Sequence, residues 1–289
     1  MEGDLLMANV ESKSLRKQFA ISFINKIAPS NLSFHKQLIT VLEARGFLLE
    51  YQDETIVVSD NSYLKATGDL TDNNFLDQLL RENGIGQVNN RIMTINGECS
   101  DKVLAELFIQ HDGCEGFGYS FKDWANFQRR QHGQKIPVSL LDPFVARLVK
   151  AISAIGIYTH YSCDGHGENK IQLGLSSKYY RAWFETVMRA LSDNYASQNC
   201  HWKFVNGMLL EISSLEDDVL SLYEEIQRIA QLLYNNRIAL RRSKTLCMVG
   251  LSKSEVINLS SRQLVKVFWD RSGNILLSLG LGKPINVSA

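Results

Sequence analysis

The chain has 289 residues, with 31 basic and 31 acidic side chains and a formal net charge of zero. Hydrophobic residues make up 45% and charged residues 21%, a globular balance that argues against extensive disorder and leaves room for two domains or one large one. Zero net charge excludes a surface that is basic throughout, so any contact with nucleic acid needs a local patch.

No run of about 18 apolar residues occurs, so no membrane partner is expected. The N-terminal MEGDLLMANVESKSLRKQ has no apolar segment of the kind a secretory signal carries. Five scattered cysteines, an odd number, do not make a disulfide framework. A reducing, cytoplasmic setting is expected, with Cys99, Cys200 and Cys247 packed as buried thiols. Oligomeric state is not legible.

In chain order, the apolar spacing predicts a helix over Ser14–Ile27 and a second from Leu32-Ser33 through Arg45, stopped by Gly46. FLLEYQDETIVVS reads as two strands around Gln52-Asp53-Glu54, so the N-terminal part has a helix/hairpin, winged-helix-like outline. A helix over Asn73–Arg81, a strand over Arg91–Ile95 and a helix from Ser100 to Gln110 complete a mixed α/β subdomain over 1–111. Residues 112–136 lose periodicity and read as an irregular loop rich in glycine, aromatic and basic residues.

The C-terminal domain, 137–289, is better patterned. Asp142-Pro143 opens a helix, with Asp as N-cap and Pro at the first helical position, and Gly156 stops it. IYTHYSC and KIQLGLS read as strands around the turn DGHGEN. A helix follows from Ser177 to Ser192. Asn206-Gly207 then marks a hairpin in WKFVNGMLLEISS, and one long helix is expected over Leu215–Leu240. The tail VKVFWDRSGNILLSLGLGK reads as helix end, turn and strand. The expected fold class is α+β, with an antiparallel sheet covered by helices in the C-terminal half.

The chain has six histidines and five cysteines, and five of these eleven residues fall in two short segments, His111-Asp112-Gly113-Cys114 and His160 to Gly167. Cys163 and His166 straddle a glycine turn, a spacing that lets both side chains converge. With His111 and Cys114 they make a candidate four-ligand zinc site. With fewer protein ligands, a metal-bound water is left for hydrolysis. In the thiol alternative Cys163 is nucleophile and His166 its base. Asp164 and Glu168 are candidates for general base or supporting partner. Strand alternation sends His160 and Cys163 to opposite faces unless a bulge intervenes. Arg129, Arg130, Arg241 and Arg242, interleaved with aromatics, are the candidate nucleic-acid or phosphate contacts, and their plain alternative is a solvated face or a complement to a helix C-terminus.

Two short stretches resemble known families. Thr159, Ser162, Cys163 and Gly165 resemble the Ser-Ser-Cys-Ser-Gly-Arg signature of the wybutosine-synthesis methyltransferases, with His166 in place of the arginine. LAELFIQHDGCEGF is similar to the LAGLIDADG helix of homing endonucleases, its last Asp falling on Asp112, and LVKVFWDRSGNILL echoes it. Leu107 and Val267 replace the small residues that let such helices approach closely. The reading these residues support is an enzyme with a metal-assisted or thiol-centred site on the SCDGHG turn, acting on a phosphorylated or nucleotide-like substrate. The alternative is a non-enzymatic nucleic-acid-binding or protein-interaction module in which the turn is structural or holds a stabilising zinc.

Overall fold

The computed structural model describes residues 2–52, 55–58, 71–111, 123–130, 132–133, 136–194 and 200–279. The first helix, α1 (Glu2–Ile27), starts well before Ser14. Helix α2 (Phe34–Arg45) ends as the sequence predicts, on Gly46 at φ 104°. Strands β1 (Leu49–Gln52) and β2 (Thr55–Val58) form the expected hairpin. Helix α3 (Thr71–Glu82), β3 (Gly86–Asn89), β4 (Ile92–Ile95) and α4 (Asp101–Ile109) follow.

Beyond α4 come the short α5 (Trp124–Arg129), then α6 (Pro143–Ala154), β5 (Thr159–Cys163) and β6 (Ile171–Leu175). Helix α7 (Lys178–Asn194), β7 (Cys200–Val205) and β8 (Leu209–Ser214) complete the strands. Helices α8 (Val219–Asn235), α9 (Arg237–Met248), α10 (Lys253–Val256) and α11 (Ser261–Ser278) close the described chain. The class is α+β with two four-stranded antiparallel sheets.

The sheets have the same order, β1-β2-β4-β3 and β5-β6-β8-β7. Each belongs to a run helix–strand–strand–helix–strand–strand–helix, from α2 to α4 and from α6 to α8. The lead helices α2 and α6 each span 12 residues and end next to a glycine with positive φ, Gly46 or Gly156. They pack against each other: a Cβ on Gly46 would meet the Ala146 backbone at 3.1 Å. The second hairpin of each unit turns through two residues of positive φ, Asn90-Arg91 and Asn206-Gly207, the turn geometry that matches strand twist. The sequence marks only the second of these, because arginine is not a usual residue for that conformation. Strand β3, GQVN, carries a single apolar residue and no alternation, so the sequence does not mark it either.

One hydrophobic core runs through both units. Phe144, Val145, Leu148, Val149, Ile152 and Ile155 of α6 and the segment following it are all buried, as their spacing predicts. Polar ties reinforce the junction. Lys150 of α6 donates to Asp72 of α3 at 2.6 Å. The fully buried Arg45 donates to the carbonyls of Gln110 and Val138 at 3.1 and 2.9 Å, and burial pushes its pKa down to about 10.

Besides the longer α1 and the additional β3, α5 forms a helix inside the segment expected to be irregular. It is opened by Asp123, whose side chain accepts the Ala125 N–H. Two further elements differ from expectation. The single helix over 215–240 is in fact α8 and α9, meeting at Asn236 (φ −95°, ψ 7°). There the Asn236 backbone and side-chain N–H groups both donate to the Leu232 carbonyl, an internal cap that ends α8. The tail forms one continuous helix, α11, in place of a turn and strand. Ser272 satisfies its hydroxyl on the Phe268 carbonyl at 2.6 Å. The Trp269 indole lies 3.0 Å from where a Cβ on Gly273 would stand, so the glycine serves packing rather than turning. The two stretches that echo LAGLIDADG helices lie on α4, which packs against α1 and α2, and on α11, which packs against α7 and α9. Asp112 lies outside the described residues.

Among the described residues, no helix is long and apolar enough to cross a membrane. Cys200 and Cys247 are buried, with burial pushing their thiols up to about 12 and about 11; Cys99 is half-buried.

Candidate metal centre

The turn after β5 is shaped by three successive residues of positive φ: Gly165 (77°), His166 (53°) and Gly167 (96°). A Cβ on Gly165 would stand 2.0 Å from the Lys170 carbonyl oxygen, so only glycine fits there. His166 is the single residue of the three that carries a side chain into this strained region. Asp164 holds the turn from within: its Oδ1 accepts the His166 backbone N–H at 3.0 Å. Its own carbonyl accepts the Tyr223 hydroxyl of α8 at 3.2 Å.

Asp164 also reaches two other elements. Its carboxylate accepts Arg16 Nη2 of α1 at 2.9 and 3.0 Å. Its Oδ2 accepts the Phe144 backbone N–H at the start of α6, at 3.4 Å. Asp142, expected to cap α6 with its side chain, makes no such bond. Instead its Oδ1 accepts Arg16 Nη2 at 3.0 Å and its Oδ2 accepts the Asp164 backbone N–H at 3.3 Å. The cap on α6 is therefore supplied by Asp164, from another element. Two carboxylates, 1% and 0% exposed, share one guanidinium at the positive end of a helix.

Asp142, Cys163 and His166 form a group whose ligating atoms all lie within 4.8 Å of one another. Ligands of a tetrahedral zinc stand about 3.5 Å apart, so the three need to draw in by about 1 Å. Asp142 is buried, Cys163 half-buried and His166 51% exposed, so the group opens to solvent on the histidine side.

The strand register explains where Cys163 points. Cys163 pairs with Gln172, Gln172 with Glu211 and Glu211 with Lys203, one transverse row across the open face of the sheet. Ile171, Ile212 and Trp202 make the corresponding row on the helix-covered face. The register of β5 shifts between Thr159 and Tyr161, so a bulge does intervene. A Cβ on Gly174 would meet both the His160 ring and the Tyr161 side chain, which places both on the open face with Cys163.

Of the four ligands expected from sequence, Cys163 and His166 come together. His111 stands at the edge of the group, its Nε2 3.9 Å from Asp142 Oδ1. Its Nδ1 lies 3.1 Å from the Ile109 carbonyl, and Nε2 lies 3.5 Å from Arg16 Nη1. With Nδ1–H donating to the carbonyl, Nε2 is the acceptor facing Arg16. Cys114 lies outside the described residues. No local pattern marks Arg16 or Tyr223, and the Asp-Pro pair marks Asp142 only as a cap.

The electrostatics are those of a site with excess negative charge. Burial, then the neighbouring Asp142, hold the Asp164 carboxyl above its ordinary pKa, against the pull of Arg16. Burial works to lower Arg16, but Asp164 and Asp142 outweigh it and hold the guanidinium above its usual value. Burial pushes the Cys163 thiol up; the Gly165 amide opposes this and the two carboxylates add to it. Burial and then Arg16 keep His111 below the ordinary histidine pKa.

The basic residues gather elsewhere. Lys244 of α9 donates to the carbonyls of Arg130 and Gly156, at 2.7 and 3.0 Å, beyond the C-terminal end of α6. Arg241 Nη1 lies 2.7 Å from His132 Nδ1, and Arg130 stacks over Tyr158 at 5.4 Å. Arg129 and Arg242 are exposed. Asp142 lies at the other end of α6, about 18 Å away for a helix of this length. Arg237 donates to the Tyr234 carbonyl at 3.0 Å, a cation complementing the C-terminal end of α8.

No family model, no curated protein and no solved structure matches this chain.

Proposed function

We propose that this chain is a metal-dependent hydrolytic enzyme whose zinc ion is held by Asp142, Cys163 and His166. The observation that carries the reading is the convergence of those three donor atoms at the solvent-facing end of β5. Three protein ligands leave a fourth position for water, the pattern of a catalytic rather than a closed structural zinc site.

The local charge favours the metal over a bare thiol nucleophile. A thiolate at Cys163 is opposed by burial and by two nearby carboxylates. A divalent cation reverses that balance, since it stabilises thiolate and carboxylate together. In this reading Asp164 positions rather than reacts: it is buried, and both its oxygens already accept hydrogen bonds. Arg16 offsets the charge the metal leaves over.

The substrate assigned is phosphorylated or nucleotide-like, because a Lewis-acidic ion suits a phosphoryl oxygen. Arg129, Arg130, Arg241 and Arg242 are too far from the turn to grip the reacting group. They suit the remote part of a long anion.

The test is zinc titration of chelator-treated protein. One zinc per chain is expected, with affinity weakened at least about 100-fold in Cys163→Ser and in His166→Ala. Folding of His166→Ala should be preserved, because its ring is half exposed. No zinc uptake by the wild type, or undiminished uptake by both variants, overturns the metal centre. Zinc binding coupled to unfolding on chelation points instead to the non-enzymatic module with a stabilising ion.

A further inference from the structure

Helix α9 reverses the usual pattern of a surface helix, in which charged groups face water and aliphatic ones face the core. Its inner face buries Lys244 together with Leu240, Cys247 and Met248. The Lys244 ammonium is satisfied there by the carbonyls of Arg130 and Gly156. Its outer face shows aliphatic side chains. Ile238 is 58% exposed, Leu246 55%, and Val249, directly after the helix, 64%. These are the three most exposed large hydrophobic side chains among the described residues.

Their spacing brings them together. Ile238, Arg242, Leu246 and Val249 follow one another at steps of four, four and three, which makes one stripe about 16 Å long. Single exposed aliphatic residues are ordinary on a protein surface, whereas several on one helix face mark a contact.

Arg242 decides what fits the stripe. It is exposed, stands between Ile238 and Leu246, and makes no ion pair among the described residues. Helix α9 carries Arg237, Arg241, Arg242 and Lys244 and no acidic residue. A second copy docked antiparallel along the stripe would bring two Arg242 side chains together with no carboxylate between them. A lipid surface would have to take in Arg242 along with the aliphatic side chains on either side of it. A nucleic-acid backbone would answer the arginine and leave the aliphatic side chains against phosphate. A helix with an apolar stripe of its own and a carboxylate at the matching position answers both.

We propose that α9 docks an acidic amphipathic helix of a partner protein, packed along Ile238, Leu246 and Val249 with a carboxylate on Arg242. The surface shares no residue with the metal centre and only Arg242 with the remote anion contacts, so its test does not depend on zinc.

The probe is a fluorescein-labelled helical peptide of about five turns, leucine on one face and glutamate on the other, titrated with the full chain by anisotropy. Saturable one-to-one binding is expected. The double change Leu246→Ser with Val249→Ser should weaken it at least about tenfold. Both positions are exposed, so the fold should hold, and circular dichroism checks that it does. Arg242→Glu should weaken it by a similar factor and bind the counterpart peptide, lysine in place of glutamate, more tightly than the wild type does. No binding by the wild type, equal binding of the two peptides, or undiminished binding by the folded double variant overturns the proposal. Two further results overturn it if the double variant abolishes them. Dimerisation of the full chain in sedimentation velocity would assign the stripe to a second copy. Cosedimentation with vesicles of equal parts phosphatidylserine and phosphatidylcholine would assign it to a lipid surface.

Discussion

The units led by α2 and α6 have one topology but unequal endowments. Each has a 12-residue lead helix, a positive-φ glycine after it and a four-stranded sheet of the same order. They differ at two points. Between β1 and β2 the chain needs only residues 53–54, whereas between β5 and β6 it spends residues 164–170. Before the lead helix stands Ser33, which makes no side-chain cap bond, or Asp142, which reaches Arg16 and the Asp164 amide. The shared topology supplies a rigid frame. The candidate metal centre draws on a longer connection and on charges buried at a helix start.

Three sets of measurements can break that contrast. The largest effect is expected for Asp164→Ala, which removes the main carboxylate partner of Arg16, the cap of α6 and the brace of the turn. A loss of about 3–5 kcal/mol in denaturant unfolding is expected, as for other broken buried ion pairs. Asp164 also titrates with a defined sign. Its folded pKa lies above the ordinary carboxyl value of 3.8. Its stabilising contribution is therefore complete below that value and lost as pH rises through the folded pKa. The stability of the wild type relative to Asp164→Asn should accordingly fall from about pH 4 upward in the metal-free protein. A difference that rises with pH would reverse the assignment of burial and Asp142 as the dominant influences.

A smaller effect is expected from exchanging the second hairpin turns. Gly207 (φ 80°) has nothing within 4 Å of a built Cβ, so only backbone strain is at issue. Gly207→Arg copies the Asn90-Arg91 turn and should cost about 1 kcal/mol. The smallest change is Ser33→Ala. With no cap bond to lose it should shift stability by less than about 0.5 kcal/mol. If Ser33→Ala proved as costly as Asp164→Ala, the two helix starts would not differ as described.

Much of the frame is legible along the chain. The apolar face of α6, the stop at Gly46 and the Asn206-Gly207 turn are local signals, and the structure keeps them. So is the placement of Cys163 and His166 around a turn between two strands. Other features depend on contacts that local pattern does not encode. Asn236 breaks a helix whose apolar period continues through it, because its amide caps Leu232. Ser272-Gly273 reads as a turn but stays helical, since Ser272 bonds within the helix and Trp269 packs on the glycine. The bulge at His160 shows only in the strand register.

By itself the sequence determined the periodicities, the glycine stops and the local pair Cys163 and His166, all set by neighbours within a few residues. Only the tertiary structure decided what surrounds that pair. It brought Arg16 across 148 positions to Asp164 and turned Asp142 from a cap into a candidate ligand. It also carried the arginine cluster to the far end of α6. The physical reason is that buried charges must find partners wherever the packed helices place them, and that choice is made in space rather than along the chain.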